Sequence, residues 1–206
     1  MVRSIIYSVI TAWVLGSACQ QREQVTHGIK QPVAALPERA DTANSSTKSS
    51  PDTTQDEQLF RKALAAFQQA VKKNDREQVK KCIRFPLQTA LQWSNEDLKG
   101  MQIDKTAGRV GFNEFNDYYS DIFHAAVRRL LPAAGEEALQ EIDDRMNEDY
   151  YNTLRQGTDK GSKLYEVYEQ YPEKNGHAES FFAFVFARCA GEYKVVAYYG
   201  KWPVKG

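Results

Sequence analysis

The chain has 206 residues, 27 basic and 27 acidic side chains and 42% hydrophobic residues, with a mean hydropathy below zero. These are the values of a soluble globular protein; zero net charge removes the electrostatic argument for a nucleic-acid binder, which needs an excess of Lys and Arg on one face, and no internal stretch approaches the ~20 apolar residues of a membrane span. Three cysteines are too few for a disulfide-built scaffold and lack a CxxC spacing for zinc, so neither a metal nor any other cofactor is expected.

The N-terminus carries an address. Arg3 supplies a positive start, and Ile5 to Leu15 form an apolar run interrupted only by Ser8 and Thr11, which is secretory-signal length. The run ends in Leu15-Gly16-Ser17-Ala18-Cys19, which resembles the bacterial lipobox, although Gly16 rather than Leu stands three residues before Cys19. The resemblance implies a signal peptide over residues 1–18 and acylation of Cys19. Gln20 rather than Asp follows, which under the lipoprotein sorting rule implies an outer-membrane anchor facing the periplasm, or a cell-surface membrane anchor where there is no outer membrane. The partner so implied is the membrane itself, held through two or more acyl chains.

Residues 20–55 contain no aromatic side chain and carry four charges of each sign. With little to offset chain entropy, 19–55 reads as a lipidated cysteine and flexible tether, spanning roughly 30 Å. From Asp56 the composition changes: 22 of the 24 aromatics fall in 56–206, which is one domain by size.

Leu59, Phe60, Ala63, Leu64, Phe67, Ala70 and Val71 recur at helical spacing and predict an amphipathic helix over 56–73. Asn74-Asp75 breaks it, and Asp75 with Gln78 resembles a capping box for a short second helix bearing Val79, Cys82 and Ile83. Alternation from Phe85 to Trp93 past Pro86 predicts a strand, and a short strand is expected at 101–103. Asn113 is placed to cap a long helix carrying Phe115, Tyr118, Tyr119, Ile122, Phe123, Ala126 and Leu130, stopped by Pro132. A weaker helix is expected over 136–148. Strands follow over 164–171, 178–189 and 193–202, with Ala190-Gly191 as the hairpin turn. If the turn closes there, Arg188 faces Tyr193, Phe186 faces Val195, Phe184 faces Ala197 and Phe182 faces Tyr199.

This order predicts an α+β fold, N-terminal helices packed on a curved C-terminal antiparallel sheet in a cone-like arrangement. Phe67 with Val71 and Asn74-Asp75, then Ile83-Arg84-Phe85-Pro86-Leu87, then Phe115, Tyr118, Tyr119, Ile122 and Phe123 make the chain similar to the nuclear transport factor 2-like superfamily. That superfamily includes polyketide cyclases and ketosteroid isomerases, and within it the chain resembles the small bacterial lipoproteins. The resemblance implies a cone cavity in which an Asp or His performs acid/base work. Asp117, Asp121, His124 and Arg128 lie at helical spacing, but they fit a solvated, ion-paired helix face better; His177 follows a turn signal. No Asp or His stands on the apolar C-terminal strands, so no catalytic residue is assigned. The acidic run Glu141, Asp143, Asp144, Glu148 and Asp149 lacks a calcium-loop pattern.

Both faces of the last hairpin are apolar, so one is expected to pack on helices and the other to meet something else. Phe182, Phe184, Phe186 and Tyr199 are the candidate partner or ligand surface, covered by a second subunit, a partner protein or a folded-back segment such as 136–160. The inverse assignment, with the phenylalanines in the helix-facing core, stays open. Cys82 and Cys189 form an even pair in an oxidising compartment; a bridge would close a loop of roughly 100 residues, worth on the order of 4–5 kcal/mol, and two free thiols are the alternative. The function expected is a non-enzymatic envelope lipoprotein that binds a protein partner, as an immunity or inhibitor protein does, or a small apolar ligand. The rival is an isomerase, dehydratase or hydrolase using the cone cavity.

Overall fold

Helix α1 (Thr53–Lys72) sets the architecture, because Phe60, Leu64, Phe67, Ala70 and Val71 repeat every three or four residues and all five are buried. Asn74 at φ 52 ends it in the left-handed region, and its preceding carbonyls are capped by the Asn74 and Asp75 N–H groups, which donate to Val71 and Ala70 at 3.0 Å each. Asp75 then accepts from the Gln78 N–H at 3.0 Å and opens α2 (Arg76–Cys82) as expected. The computed structural model describes residues 53–205 except 144, 146, 175 and 177. The signal segment 1–18, Cys19, the tether as far as residue 52 and His177 lie outside the described residues.

Six strands follow: β1 (Ile83–Gln88), β2 (Arg109–Val110), β3 (Leu139–Ile142), β4 (Leu164–Pro172), β5 (Glu179–Cys189) and β6 (Glu192–Gly200), in the sheet order β2-β1-β6-β5-β4-β3. The fold is α+β. The sheet is mixed rather than wholly antiparallel, because β1 runs parallel to β6; all other neighbours are antiparallel. A short helix α3 (Asn95–Gly100), closed by a Ser94–Asp97 capping box, precedes residues 101–103, which are not the short strand expected there.

The long helix expected from Asn113 to Leu130 is two helices, α4 (Phe115–Ile122) and α5 (Ala125–Leu130). Between them Phe123 leaves helical geometry and stacks on Tyr119 and Phe184, with ring centroids at 4.7 and 5.7 Å. The weak helix expected over 136–148 is reduced to a single 3-10 turn at Glu136–Ala138. The Leu139–Ile142 portion of the segment is edge strand β3, whose backbone pairs with Leu164–Val167 of β4; an interior strand left without that partner would carry unpaired N–H and C=O groups. Helix α6 (Asp149–Arg155) comes afterwards.

The β5–β6 hairpin turns at Ala190 (φ 53) and Gly191 (φ 84), the positive-φ pair of a type I′ turn. Arg188 pairs with Tyr193 and Phe186 with Val195, as expected, but Val185 then pairs with Ala197, leaving Val196 as an extra residue. This bulge moves the register beyond it by one: Phe184 faces Tyr198 and Phe182 faces Gly200. Val195 and Tyr198 therefore point to the helices, while Val196, Ala197 and Tyr199 point to the other face.

Each sheet face has its own core. On one, Phe182, Phe184 and Phe186 meet Phe60 and Phe67 of α1 and Tyr119 and Phe123 of the α4 region. On the other, Ala183, Val185, Ala187, Val196 and Tyr199 meet Trp93 and the Tyr150, Tyr151 and Leu154 side chains of α6. The proposed surface of Phe182, Phe184 and Phe186 is thus corrected: all three are essentially unexposed and form the helix-facing core. Of the expected folded-back segment 136–160, Ile142 and the α6 residues Tyr150, Tyr151 and Leu154 pack on the small-residue face, where short side chains let α6 approach, whereas Ala138 and Leu139 pack on the helix-facing core. Cys82 and Cys189 are free thiols. They pack on opposite sheet faces, the arrangement of the free-thiol alternative rather than of a bridge.

Candidate functional site

Strand β4 alternates Leu164, Glu166 and Tyr168 toward the α6 face and Tyr165 and Val167 toward α1. Alternation thereby carries a carboxylate into a layer that is otherwise apolar and aromatic. Glu166 lies between Gln140 of β3 and Val185 of β5 and is 2% exposed. The Gln140 side-chain amide donates to Oε2 of Glu166, whereas Oε1 is buried with no hydrogen-bond partner. Burial pushes the Glu166 carboxyl above its ordinary range, and the Gln140 bond draws it part of the way back.

Beside Glu166 lies an open groove of about 600 Å³. Tyr151 of α6, Tyr168 of β4, Phe181 of β5 and Tyr199 of β6 wall it, and Leu91 and Gln92, both exposed, form part of the rim. The walls are continuous: Tyr168 stacks on Phe181 at 5.7 Å, and Phe181 meets Tyr199 edge-on at 6.5 Å. Gln92 donates to the Tyr151 hydroxyl, whose ionisation is pushed up to about 12 by burial and by the charge of Glu166. Tyr150 lies behind, 5.4 Å from Tyr151 and 6.2 Å from Tyr199 between ring centroids. Its hydroxyl and the Trp93 indole N–H are buried without hydrogen-bond partners. An aromatic concavity with one buried, half-satisfied carboxylate is built to hold a hydrogen-bond donor in a dry setting.

His124 sits at the α4–α5 break, against Tyr171 at 5.8 Å and Phe182 at 6.3 Å. It lines a second cavity, of about 440 Å³, with Asp121, Ser180, Lys201 and Trp202. Burial, with Arg128, pushes its imidazole below the usual range. No carboxylate among the described residues orients the ring. Lys201 is held by Glu173 at 2.6 Å, and Asp117, Asp121 and Arg128 are exposed. The helical spacing of these charges does not assemble a catalytic constellation.

The acidic run is divided among separate partners: Glu141 pairs with Lys163, Asp143 with Arg145, Asp149 with Lys105, and Glu148 accepts from the Asn95 N–H at 2.7 Å. No group of three or more His, Cys, Asp or Glu among the described residues is placed to hold a metal ion, and no helix among them is long and apolar enough to cross a membrane. Of the residues expected to form a partner or ligand surface, Tyr199 lines the groove and the three phenylalanines do not. Looking for Asp or His on the apolar strands does not reveal Glu166. Its signal is visible in the sequence as an acid at an alternating position between Leu164 and Tyr168. The chain matches no known protein family and no curated protein.

Proposed function

We propose that the chain is a cell-envelope lipoprotein, anchored through Cys19, whose folded domain is a non-enzymatic binding module for a small, largely apolar ligand held in the groove beside Glu166. The observation that carries this reading is the orphaned Oε1 of Glu166 in an aromatic concavity. Concave aromatic walls with few polar groups favour a small molecule over a flat protein surface. The resemblance to the nuclear transport factor 2-like lipoproteins is compatible with this reading. Against catalysis between helices and sheet stands the filling of that interior by Phe67, Phe123, Phe184 and Phe186, which meet at centroid distances of 5.2 to 6.0 Å.

Fluorescence titration of the full chain in detergent with 1-aminoanthracene tests the groove. Saturable binding is expected, abolished by Leu91→Trp at the rim and retained by Phe112→Ser, an exposed site outside the groove. Absence of saturable binding, or equal binding by both variants, removes the reading. The anchor is tested separately: palmitate label should enter the wild type and not Cys19→Ala.

A further inference from the structure

We infer that the ligand of this groove carries a protonated amine, and that Glu166 receives it. The inference rests on the binding reading above and assigns the chemical class of the ligand. Three observations converge on it.

The first is charge without compensation. Gln140, which donates to Oε2, is neutral, and no Lys, Arg or His stands among the described residues lining the groove. Away from bulk water the field of a lone carboxylate is weakly screened, so its ionised form attracts a cation and repels a carboxylate or phosphate. The second is the shape of the hydrogen-bonding deficit. Oε1 is an acceptor lacking a donor, while the two amides at the site are already engaged, Gln140 with Glu166 and Gln92 with the Tyr151 hydroxyl. The unpartnered Tyr150 hydroxyl and Trp93 indole N–H are not among the groove's lining residues, so the lining itself offers an acceptor and no free amide donor, which suits an N–H group.

The third is the wall. Tyr151, Tyr168, Phe181 and Tyr199 surround the approach to the carboxylate, and aromatic faces attract cations through their quadrupoles. An ammonium so placed donates to Oε1 while its carbon skeleton lies on the rings and extends toward Leu91, which is 42% exposed at the mouth. An aralkyl- or alkylammonium with an apolar tail satisfies the carboxylate, the rings and the rim together. A neutral alcohol satisfies the rings and supplies a weaker donor.

Calorimetric titration of the full chain in detergent at pH 7.5 separates these. The probes are 2-phenylethylammonium, its neutral counterpart 2-phenylethanol, and 3-phenylpropanoate. Phenylethylammonium is expected to bind at least tenfold more tightly than phenylethanol, and phenylpropanoate not at all. Glu166→Gln should reduce the preference to twofold or less. Tyr168→Leu, which keeps the charge and removes one ring from a half-exposed wall, should weaken ammonium binding several-fold and phenylethanol less. Equal or tighter binding of phenylethanol to the wild type overturns the inference and leaves the groove as a binding site. A tenfold preference that persists in folded Glu166→Gln overturns it as well. Binding of none of the three, together with failure of the aminoanthracene titration, removes both the inference and the reading beneath it.

Discussion

Gln140 donates its side-chain amide to Glu166 across the β3–β4 pair, two residues directly opposite in the ladder. The edge strand β3 thus does more than complete the sheet. It supplies a neutral donor to a carboxylate that lies 2% exposed on the α6 face, and it holds Oε2 so that Oε1 remains for something else. Breaking this pair would leave a buried carboxylate with neither oxygen satisfied.

The burial of Glu166 fixes the sign of a pH effect. Its folded carboxyl is raised above the ordinary value of 4.5, so between the unfolded and folded values the folded state holds the proton that the unfolded state has lost. Stability from this group falls as pH rises through that window. Tyr150, Tyr151, Tyr168, Tyr199 and Gln140 are the described groups that face or adjoin it, and Glu148 and Arg155, beside Tyr151, bring charge nearby. Melting curves of wild type and Glu166→Gln from pH 4 to 8 should show the difference between them moving in favour of the variant as pH rises. A difference independent of pH contradicts the assignment.

Phe184 is at the centre of the helix-facing core, in contact with Phe67, Phe123 and Tyr198 at 5.0 to 5.7 Å. Phe184→Ala is expected to lower stability by about 3–5 kcal/mol. Phe184→Asp should leave the domain unfolded by circular dichroism, since it would bury an unpaired charge. A folded Phe184→Asp variant with altered self-association would restore the surface assignment that the burial rejects.

At the other end of the molecule, Asp56 in the first turns of α1 accepts from the Arg188 guanidinium on β5, and from the Lys163 N–H at 3.4 Å. This clamp ties α1 to the sheet close to the hairpin tip. Asp56→Ala leaves Arg188 with the Asp159 carboxylate at 3.6 Å and the Lys160 carbonyl at 3.4 Å, and should cost roughly 1–2 kcal/mol. Hydrogen exchange should locate the effect in the start of α1, whose amides should exchange faster than those of Phe67 or Ala70.

The hairpin tip offers a gain. Ala190 holds φ 53, where a β-carbon is strained and Asn is tolerated. Asp159 already accepts from the Ala190 and Gly191 N–H groups at 2.8 and 2.7 Å, so the turn is set in place. Ala190→Asn should raise stability by roughly 0.5–1 kcal/mol, read as a higher midpoint in urea with an unchanged slope.

Cys82 and Cys189 are half-buried free thiols on opposite sheet faces, and burial pushes both thiols up. Titration of the unreduced chain in denaturant should count two thiols from these positions, one fewer in each of Cys82→Ser and Cys189→Ser. In the native state both should react slowly. A count of zero would establish the bridge.

The sequence alone determined the parts of this protein that depend on local pattern. The 3.6-residue stripe of α1, the Asp75 cap, the three long C-terminal strands and the Ala190-Gly191 turn all follow from spacing and turn chemistry that neighbours in the chain enforce. The double apolar face of the hairpin also announced that both sides would be covered. Tertiary structure alone decided which cover goes where. Period-2 alternation separates Phe184 from Val185 but does not say which face meets the helices, and one extra residue at Val196 reverses the facing of everything after it in β6. It also decided that Leu139–Ile142 pairs as an edge strand, since the open groups of β4 outweigh a weak helical pattern. Glu166 depends on all of these together: a carboxylate on a strand is ordinary until α6 and β3 close over it, and its chemistry comes from that burial.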